Sequence, residues 1–342
     1  MENSIKYRNI GSSQIRVSAI GAGARVWGVE PFGWGKEYTK DDLFATYTAL
    51  LDAGVNYFDT SESYGKGLSE ELLGEFRRRD GREIVISTKF TPFKPYDPEP
   101  NFSPKAVMPV LEGSLKRLGV SMVDLYQIHY APARYRLNGY LDALAETVKS
   151  GKAKAIGVSN FSTDLLRYSY DYLVKKYDIK LASNQVGYSL LNRLPETNGM
   201  LNICNELNMS LIAILPLAEG VLAGKYRPGG AKPSKMVSIM LRAIQILEHH
   251  VPPSKYFTTP LSLQPDKLEP LFVVMEEIAA AHNATISQVA LNWLLASNPL
   301  VIPIPGVKNV AQASSNAAAL SWSLSVEEFE LLCETEASCA NA

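Results

Sequence analysis

The stretch Asn56-Tyr57-Phe58-Asp59-Thr60-Ser61-Glu62-Ser63-Tyr64-Gly65 begins with a short apolar run that ends in an acid, and a tyrosine follows soon after. Two further apolar runs end in a polar residue: Ile84-Val85-Ile86-Ser87-Thr88-Lys89 and Val123-Asp124-Leu125-Tyr126-Gln127-Ile128-His129. Each run is typical of a buried parallel strand. In a parallel α/β barrel, catalytic residues gather where the strands end. Asp59, Tyr64, Lys89 and His129 therefore form a candidate catalytic tetrad.

Short β-rich runs alternate with longer amphipathic stretches along the chain. This alternation predicts an α/β fold whose parallel sheet closes as a (β/α)8 TIM barrel. For a chain of 342 residues such a barrel is normally one domain, so we expect residues 1–342 to form a single one. The predicted strands are residues 17–21, 55–58, 84–88, 123–129, 155–158, 182–186, 211–215 and 301–303.

An open doubly wound sheet is the alternative fold, and it needs a glycine-rich dinucleotide-binding turn after an early strand. The nearest match is Gly21-Ala22-Gly23-Ala24-Arg25-Val26-Trp27-Gly28. It lacks the third glycine at the required spacing, and no helix opens directly after it. The barrel is therefore favoured over the open sheet.

Two segments interrupt the alternation. Residues 7–17, centred on Gly11-Ser12-Ser13, predict a β-hairpin that plugs the bottom of the barrel. Residues 218–265 form a long insertion after the seventh strand, rich in glycine, proline, lysine and aromatic residues. An insertion of this length is usually either a functional lid or disordered, and its apolar content favours partial order and contact with an apolar group.

Composition narrows the classes of function. Lys and Arg number 34 against 35 Asp and Glu, and the net charge of −1 gives no support to a nucleic-acid or anionic-membrane partner. Residues 1–20 are polar, and no apolar run approaches the roughly 18 residues of a membrane span. Cys204, Cys333 and Cys339 are scattered and show no metal-ligand spacing. We therefore expect a cytoplasmic protein with free thiols, no metal and no membrane segment.

The tetrad suits the reduction of a carbonyl group. When a hydride reaches the carbonyl carbon, negative charge grows on the oxygen and a proton must be delivered there. Free tyrosine has a pKa of about 10, so the phenol of Tyr64 is protonated and available as the acid. Lys89 would ease proton transfer by its charge, and Asp59 would keep Lys89 in place and charged. His129 would orient the substrate oxygen by a hydrogen bond.

Each member of the tetrad also has an ordinary structural interpretation. A loop tyrosine usually packs or faces solvent, an Asp–Lys pair is usually a structural ion pair, and a histidine at a strand end is usually a satisfied core residue. The joint occurrence on three successive strands favours catalysis. The chain has four histidines in all, so one at a strand end is itself informative.

These motifs resemble the aldo-keto reductase superfamily, over about residues 6–335. The resemblance is closest to branches that contain pyridoxal reductases and relatives of potassium-channel β-subunits. It implies a (β/α)8 barrel that binds NADPH without a Rossmann fold and reduces an aldehyde or ketone to an alcohol. Besides the tetrad motifs, the matching segments are Gly157-Val158-Ser159-Asn160-Phe161, Asn184-Gln185-Val186-Gly187-Tyr188-Ser189-Leu190-Leu191-Asn192-Arg193, residues 220–225, and Ile304-Pro305-Gly306-Val307-Lys308.

The resemblance implies a role for each site residue. Tyr64 is the implied proton donor, Asp59 and Lys89 tune it, and His129 orients the carbonyl. The implied cofactor is NADPH/NADP+, with NADH as an alternative. Besides Asp59, the implied cofactor residues are Gly23, Ala24 and Arg25 in the first barrel loop; Ser159, Asn160 and Gln185 at the nicotinamide carboxamide; Leu215, Pro216, Leu217, Gly220, Leu222, Gly224 and Lys225 over the pyrophosphate; and Gly306, Lys308, Gln312, Ser315 and Asn316 at the adenosine phosphate.

The sequence departs from the family pattern at Ile214, where a tyrosine usually stacks on the nicotinamide. An aliphatic side chain supplies no aromatic face, so weaker cofactor binding or an altered pose is expected. An arginine in place of Gln312 would strengthen the preference for NADPH over NADH. With Tyr64 and His129, Trp27 and Tyr130 are the expected substrate-pocket walls, which suit an apolar or aromatic small-molecule carbonyl compound. Trp27 fits ordinary core packing equally well.

Two other functions stay open on the sequence. A nucleotide-binding regulatory or scaffold barrel, similar to channel β-subunits, would show no turnover that depends on Tyr64. A Schiff-base lyase would use Lys89 as its nucleophile, although a carboxylate at Asp59 would keep that amine protonated. The sequence leaves the oligomeric state open.

Overall fold

The computed structural model describes residues 6–92, 103–227, 230–232 and 264–341. In these residues, two strands pair antiparallel and eight form a parallel sheet in which neighbours follow chain order. The antiparallel pair is β1 (Tyr7–Asn9) and β2 (Arg16–Ser18). The parallel strands are β3 (Ala22–Gly23), β4 (Tyr57–Asp59), β5 (Val85–Phe90), β6 (Val123–Ile128), β7 (Ala153–Ser159), β8 (Leu181–Gly187), β9 (Ser210–Ile214) and β10 (Val301–Pro303).

The sheet closes on itself where its first strand meets its last. The Gly21 amide donates to the Pro303 carbonyl at 2.9 Å, and the Gly23 amide donates to the Pro305 carbonyl at 3.0 Å. Glycine is required at position 23, because a Cβ atom there would lie 2.9 Å from the Ile304 carbonyl oxygen. The chain is thus a (β/α)8 barrel, and the fold predicted from the alternation is confirmed.

Helices cover the outside of the barrel, and several begin at polar residues that cap them. The side chains of Thr39, Ser162, Thr285 and Asn309 each accept a hydrogen bond from a backbone amide of the helix that follows. Among the described helices, none combines the length and apolarity of a membrane span. The helices are α1 (Lys40–Asp52), α2 (Leu68–Asp80), α3 (Val107–Leu118), α4 (Leu137–Lys149), α5 (Thr163–Tyr177), α6 (Leu194–Thr197), α7 (Met200–Leu207), α8 (Glu269–Ala281), α9 (Ile286–Ser297), α10 (Val310–Ala318) and α11 (Val326–Asn341).

Among the described residues, buried apolar side chains form two clusters, and the smaller one fills the barrel interior. Ile10, Ile15 and Val17 of the hairpin pack there against inward-facing residues of the strands, such as Leu125. The Gly11 amide donates to the hydroxyl of Ser210, at the start of β9, at 2.8 Å. The hairpin therefore covers the end where the strands begin, as predicted, and leaves the other end to the functional side chains.

The structure corrects the predicted first strand. Val17 pairs with Arg8 inside the hairpin, so residues 17–21 are not a barrel strand. The barrel strand is Ala22–Gly23, since glycines allow the close approach to β10. The predicted insertion begins with a 3-10 turn at Ala218–Ala223. Residues 228–229 and 233–263 of that insertion, with the apolar side chains expected to order it, lie outside the described residues.

Candidate active site

Three side chains of the predicted tetrad meet where β4 and β5 end. The Lys89 side chain is fully buried, and its ammonium donates to Asp59 Oδ1 at 2.5 Å and to the Thr60 carbonyl at 2.8 Å. The same ammonium lies 3.4 Å from the Tyr64 hydroxyl. A buried charge is tolerated only when it is paired and hydrogen-bonded, and these contacts meet that requirement.

The charge state of Lys89 follows from its surroundings. Burial lowers the pKa of the Lys89 ammonium, but Asp59 and Tyr64 outweigh this effect and leave the pKa above its ordinary value. The ammonium therefore stays charged, 3.4 Å from the phenol oxygen of Tyr64. A protonated amine is also a poor nucleophile, which argues against the Schiff-base alternative.

A chain of hydrogen bonds in the barrel interior supports Asp59. Its Oδ2 accepts from Ser87 Oγ at 2.5 Å and from Gln185 Nε2 at 3.0 Å. The Tyr57 hydroxyl donates to Ser87 Oγ at 3.0 Å. Because side chains alternate along a strand, Tyr57 and Asp59 face inward together, as do Ser87 and Lys89. Sequence reasoning missed Tyr57 and Ser87, although this two-residue spacing was an available signal.

Tyr64 reaches Lys89 because the chain turns sharply after β4. Tyr64 begins the 3-10 turn Tyr64–Gly67, in which Gly65 and Lys66 have φ of 57° and Gly67 has φ of 95°. Such left-handed backbone favours glycine. A Cβ atom on Gly65 would also lie 2.8 Å from the Gly28 carbonyl oxygen. The glycines therefore let the turn bring the phenol back over the end of β5.

His129 directly follows β6 and is buried beside the tyrosine. Its Nδ1 lies 3.1 Å from Thr91 Oγ1 and 3.4 Å from Ser61 Oγ. Burial, together with the charges of Lys89 and Arg25, lowers the pKa of His129 well below its ordinary value, so the imidazole is neutral. A hydroxyl that donates to Nδ1 leaves the proton on Nε2, which can then donate to a carbonyl oxygen.

The two aromatic residues predicted to wall the substrate pocket occupy different environments. The Tyr130 ring stacks on His129 with ring centroids 4.5 Å apart, next to the tetrad. Trp27 has no exposed surface, and its indole N–H donates to the Val307 carbonyl at 2.8 Å. Its ring packs against Phe58 and Phe76. Trp27 is therefore a core residue, and the prediction of a pocket wall at that position is corrected.

The residues predicted for the nicotinamide carboxamide form one connected group. Asn160 Nδ2 donates to the His129 carbonyl and to Ser159 Oγ, each at 3.0 Å, and Ser159 Oγ donates to the Gln185 carbonyl at 2.9 Å. Asn160 has left-handed backbone with φ of 59°. Since Gln185 also contacts Asp59, the structure brings this group against the tetrad.

The segment after β9 carries most of the residues predicted to cover the pyrophosphate. Leu215, Ala218 and Glu219 have φ of 55°, 46° and 56°. Left-handed backbone at residues other than glycine is costly and collects at functional sites. Leu222 is fully buried in this segment. Ile214, at the end of β9, packs against the barrel-interior cluster.

Two cations among the predicted cofactor residues, Arg25 and Lys308, pair with glutamates. Arg25 forms an ion pair with Glu219, which links the loop after β3 to the segment after β9. Lys308 Nζ donates to Glu37 Oε2 at 2.5 Å and to the Phe32 carbonyl at 3.3 Å. Sequence reasoning did not identify Glu37 or Glu219, because no local pattern marks either partner.

The predicted adenosine-phosphate residues surround the start of α10. Gln312 Oε1 accepts from the Lys308 backbone amide at 2.9 Å, so its side chain fixes the preceding loop. Ser315 contacts Thr285 at 3.1 Å, and Asn316 is buried. A Cβ atom on Gly306 would meet nothing within 4 Å, so the space beside it is open. This end of the barrel therefore offers an open site at a capped helix N-terminus.

Comparisons with known proteins agree with this geometry. A profile of the Aldo/keto reductase family matches residues 19–336. The chain is 32% identical over 336 residues to a chloroplastic pyridoxal reductase of Arabidopsis thaliana, covering 94% of this chain and 84% of that protein. It is 29% identical over 328 residues to an L-glyceraldehyde 3-phosphate reductase of Escherichia coli, covering 93% and 88%. The structure of an aldo/keto reductase from Klebsiella pneumoniae with NADP and acetate is similar, with a TM-score of 0.68, 26% identity, and coverage of 96% and 95%.

Proposed function

The chain belongs to the aldo/keto reductase family, and on that premise we propose that it reduces a small aldehyde or ketone to an alcohol, with Tyr64 as the proton donor. The family makes it an NADP-dependent oxidoreductase. The observation that carries the proposal is the placement of the Tyr64 hydroxyl 3.4 Å from a buried ammonium that Asp59 holds in place. This arrangement lets a phenol release a proton and accept it back.

The residues present fit NADPH. Ser159, Asn160 and Gln185 supply hydroxyl and amide groups, which match the donors and acceptors of a carboxamide. Lys308 lies just before the Asn309-capped α10, and a helix N-terminus with a lysine suits a phosphate. When bound, the cofactor supplies the hydride that the carbonyl carbon receives.

The roles of the protein groups follow from their contacts. His129 Nε2 holds and polarises the carbonyl oxygen in this proposal, with the Thr91 and Ser61 hydroxyls at Nδ1 and the proton of the neutral imidazole on Nε2. The Tyr64 hydroxyl gives its proton to the same oxygen, and the Lys89 ammonium stabilises the phenolate that remains. Asp59 keeps Lys89 charged and in place, and Ser87 and Gln185 keep Asp59 in place. The alcohol is the product, and solvent restores the proton of Tyr64.

The proposed substrate is an aldehyde carried on a small aromatic ring. Tyr130 stacks flat on His129, so an aromatic ring lies next to the residue proposed to hold the carbonyl. One relative is named a pyridoxal reductase, and pyridoxal is an aldehyde on a pyridine ring. An aliphatic phosphorylated aldehyde, as in the name of the second relative, is the competing substrate class.

NADPH oxidation with a panel of aromatic and aliphatic aldehydes tests the proposal, with wild type compared to Tyr64→Phe. We expect turnover by wild type and a loss of about 10²–10⁴-fold in the variant, the range that general acid catalysis contributes. Quenching of intrinsic fluorescence by NADPH should be equal in the two proteins. Full activity in the variant would assign the proton to another group. NADPH binding without turnover by wild type would support the regulatory alternative.

A further inference from the structure

Neighbouring residues position both partners of the contact between Lys308 and Glu37. The loop of residues 29–39, called the 29–39 loop, lies between β3 and α1, and its Gly33 has φ of 98°. A Cβ atom on Gly33 would lie 2.6 Å from the carboxyl carbon of Glu37. The Glu37 amide donates to the Gly33 carbonyl at 2.7 Å. Gly33 therefore leaves the room in which the Glu37 side chain extends toward Lys308.

The lysine is likewise directed at this loop. Besides Glu37, its ammonium contacts the Phe32 carbonyl at 3.3 Å and lies 5.2 Å from the centre of the Tyr38 ring. The hydrogen bond and the charge of Lys308, with the charge of Lys225, hold the pKa of Glu37 below its ordinary value, so this carboxylate is ionised. A predicted phosphate-binding lysine is thus engaged by a negative charge of the protein itself.

We propose that Glu37 sets the choice between NADPH and NADH by competing with the ribose 2′-phosphate for Lys308. The inference rests on the proposed function, which places the adenosine phosphate at Lys308. A phosphate monoester carries about −1.5 to −2 charges at neutral pH, so Glu37 repels it and must release the lysine to it. The 2′-hydroxyl of NADH is a donor, and a carboxylate is the usual acceptor for a ribose 2′-hydroxyl in dinucleotide sites. Glu37 therefore weakens NADPH binding and strengthens NADH binding.

The test measures dissociation constants of NADPH and NADH by fluorescence quenching for wild type, Glu37→Gln and the control Glu30→Gln. Glu30 is an exposed carboxylate of the same loop, and its substitution removes the same charge. We expect Glu37→Gln to bind NADPH about fivefold more tightly, a modest factor of the size that an exposed ion pair supplies. NADH should bind about twofold to fivefold more weakly. The ratio of the two constants should therefore shift by about tenfold or more, and Glu30→Gln should leave it unchanged.

A second pair of variants locates the effect at the lysine. Lys308→Met should weaken NADPH binding selectively, and Glu37→Gln should no longer shift the ratio in that background, since contacting residues are coupled. Adenosine 2′,5′-bisphosphate and AMP, as probes without a nicotinamide, should follow NADPH and NADH respectively. An unchanged ratio in Glu37→Gln, or the same shift in Glu30→Gln, would overturn the inference alone. Failure of wild type to bind either dinucleotide would overturn the proposed function as well.

Discussion

Two ion pairs at the same end of the barrel differ in how the protein holds them. The Lys89 and Asp59 side chains are 0% and 3% exposed, and further protein groups bind both of them. The Lys308 and Glu37 side chains are 28% and 66% exposed. A buried pair is costly to break, whereas an exposed pair contributes little and exchanges partners easily. The proposed catalytic pair is therefore fixed by the fold, whereas the Lys308–Glu37 pair is free to exchange partners when a ligand binds.

The largest effect is expected from breaking the buried pair. Lys89→Met leaves the Asp59 carboxylate buried without its cation, and we expect a loss of about 3–5 kcal/mol in the free energy of unfolding. Urea unfolding measures the loss. The double variant Asp59→Asn/Lys89→Met should recover much of the stability and none of the reductase activity.

Lys308→Met is the matched control for this prediction, because it removes the same charge from the exposed pair. Its cost should stay below about 1 kcal/mol. Equal costs for the two substitutions would show that burial does not separate the two pairs, and the comparison would then be wrong.

The second prediction concerns the pH dependence of stability that the buried His129 should cause. The pKa of His129 is lower in the folded protein than in the unfolded chain, where it is about 6.5. The unfolded state therefore binds more protons below that pH, and stability should fall as the pH drops through about 6.5, by at most about 1.4 kcal/mol per pH unit. His129→Gln should remove this part of the slope in urea unfolding at several pH values. It should also lower kcat by about 10²–10³-fold, as expected when a donor to the developing oxyanion is lost.

A slope that is identical in His129→Gln and wild type would show that His129 titrates normally in the folded protein. The control is the histidine His282, which pairs with Glu328 far along the chain from the tetrad. His282→Gln should leave kcat unchanged, because the residue lies outside the proposed machinery.

The tetrad could be predicted because each member ends or follows an apolar run, and parallel strands bring such ends together. Ser87 and Thr91 flank Lys89 at two-residue spacing, so strand alternation was an available signal for both, although sequence reasoning missed them. Trp27 was ambiguous, since an aromatic residue in a barrel loop fits both a pocket and a core. The prediction of the first strand was wrong because it followed the apolar residue Val17. The observed strand is set instead by its close approach to the last strand, which requires Gly23.

The ion-pair partners Glu37 and Glu219 could not be predicted by the same reasoning. Glu37 and Lys308 are 271 positions apart in the chain, and Arg25 and Glu219 are 194 apart. Their pairing depends on closure of the barrel and on how the loops above it turn. Left-handed backbone at Leu215 likewise has no signal in the residue type, since a branched apolar side chain disfavours it.

The smallest loss of stability is expected when the Arg25–Glu219 pair is broken. This variant tests whether the pair behaves like the exposed Lys308–Glu37 pair. Glu219→Gln keeps the shape of the side chain and the same left-handed backbone, so only the charge is removed. The Arg25 side chain is 32% exposed, and we expect a loss of about 1 kcal/mol or less in urea unfolding, which shrinks further in about 1 M salt as the charges are screened. A loss near that of Lys89→Met, unchanged by salt, would mean that Glu219, at 11% exposure, behaves as part of the buried network. The Arg25–Glu219 pair would then belong with the buried Lys89–Asp59 pair, and not with the exposed Lys308–Glu37 pair.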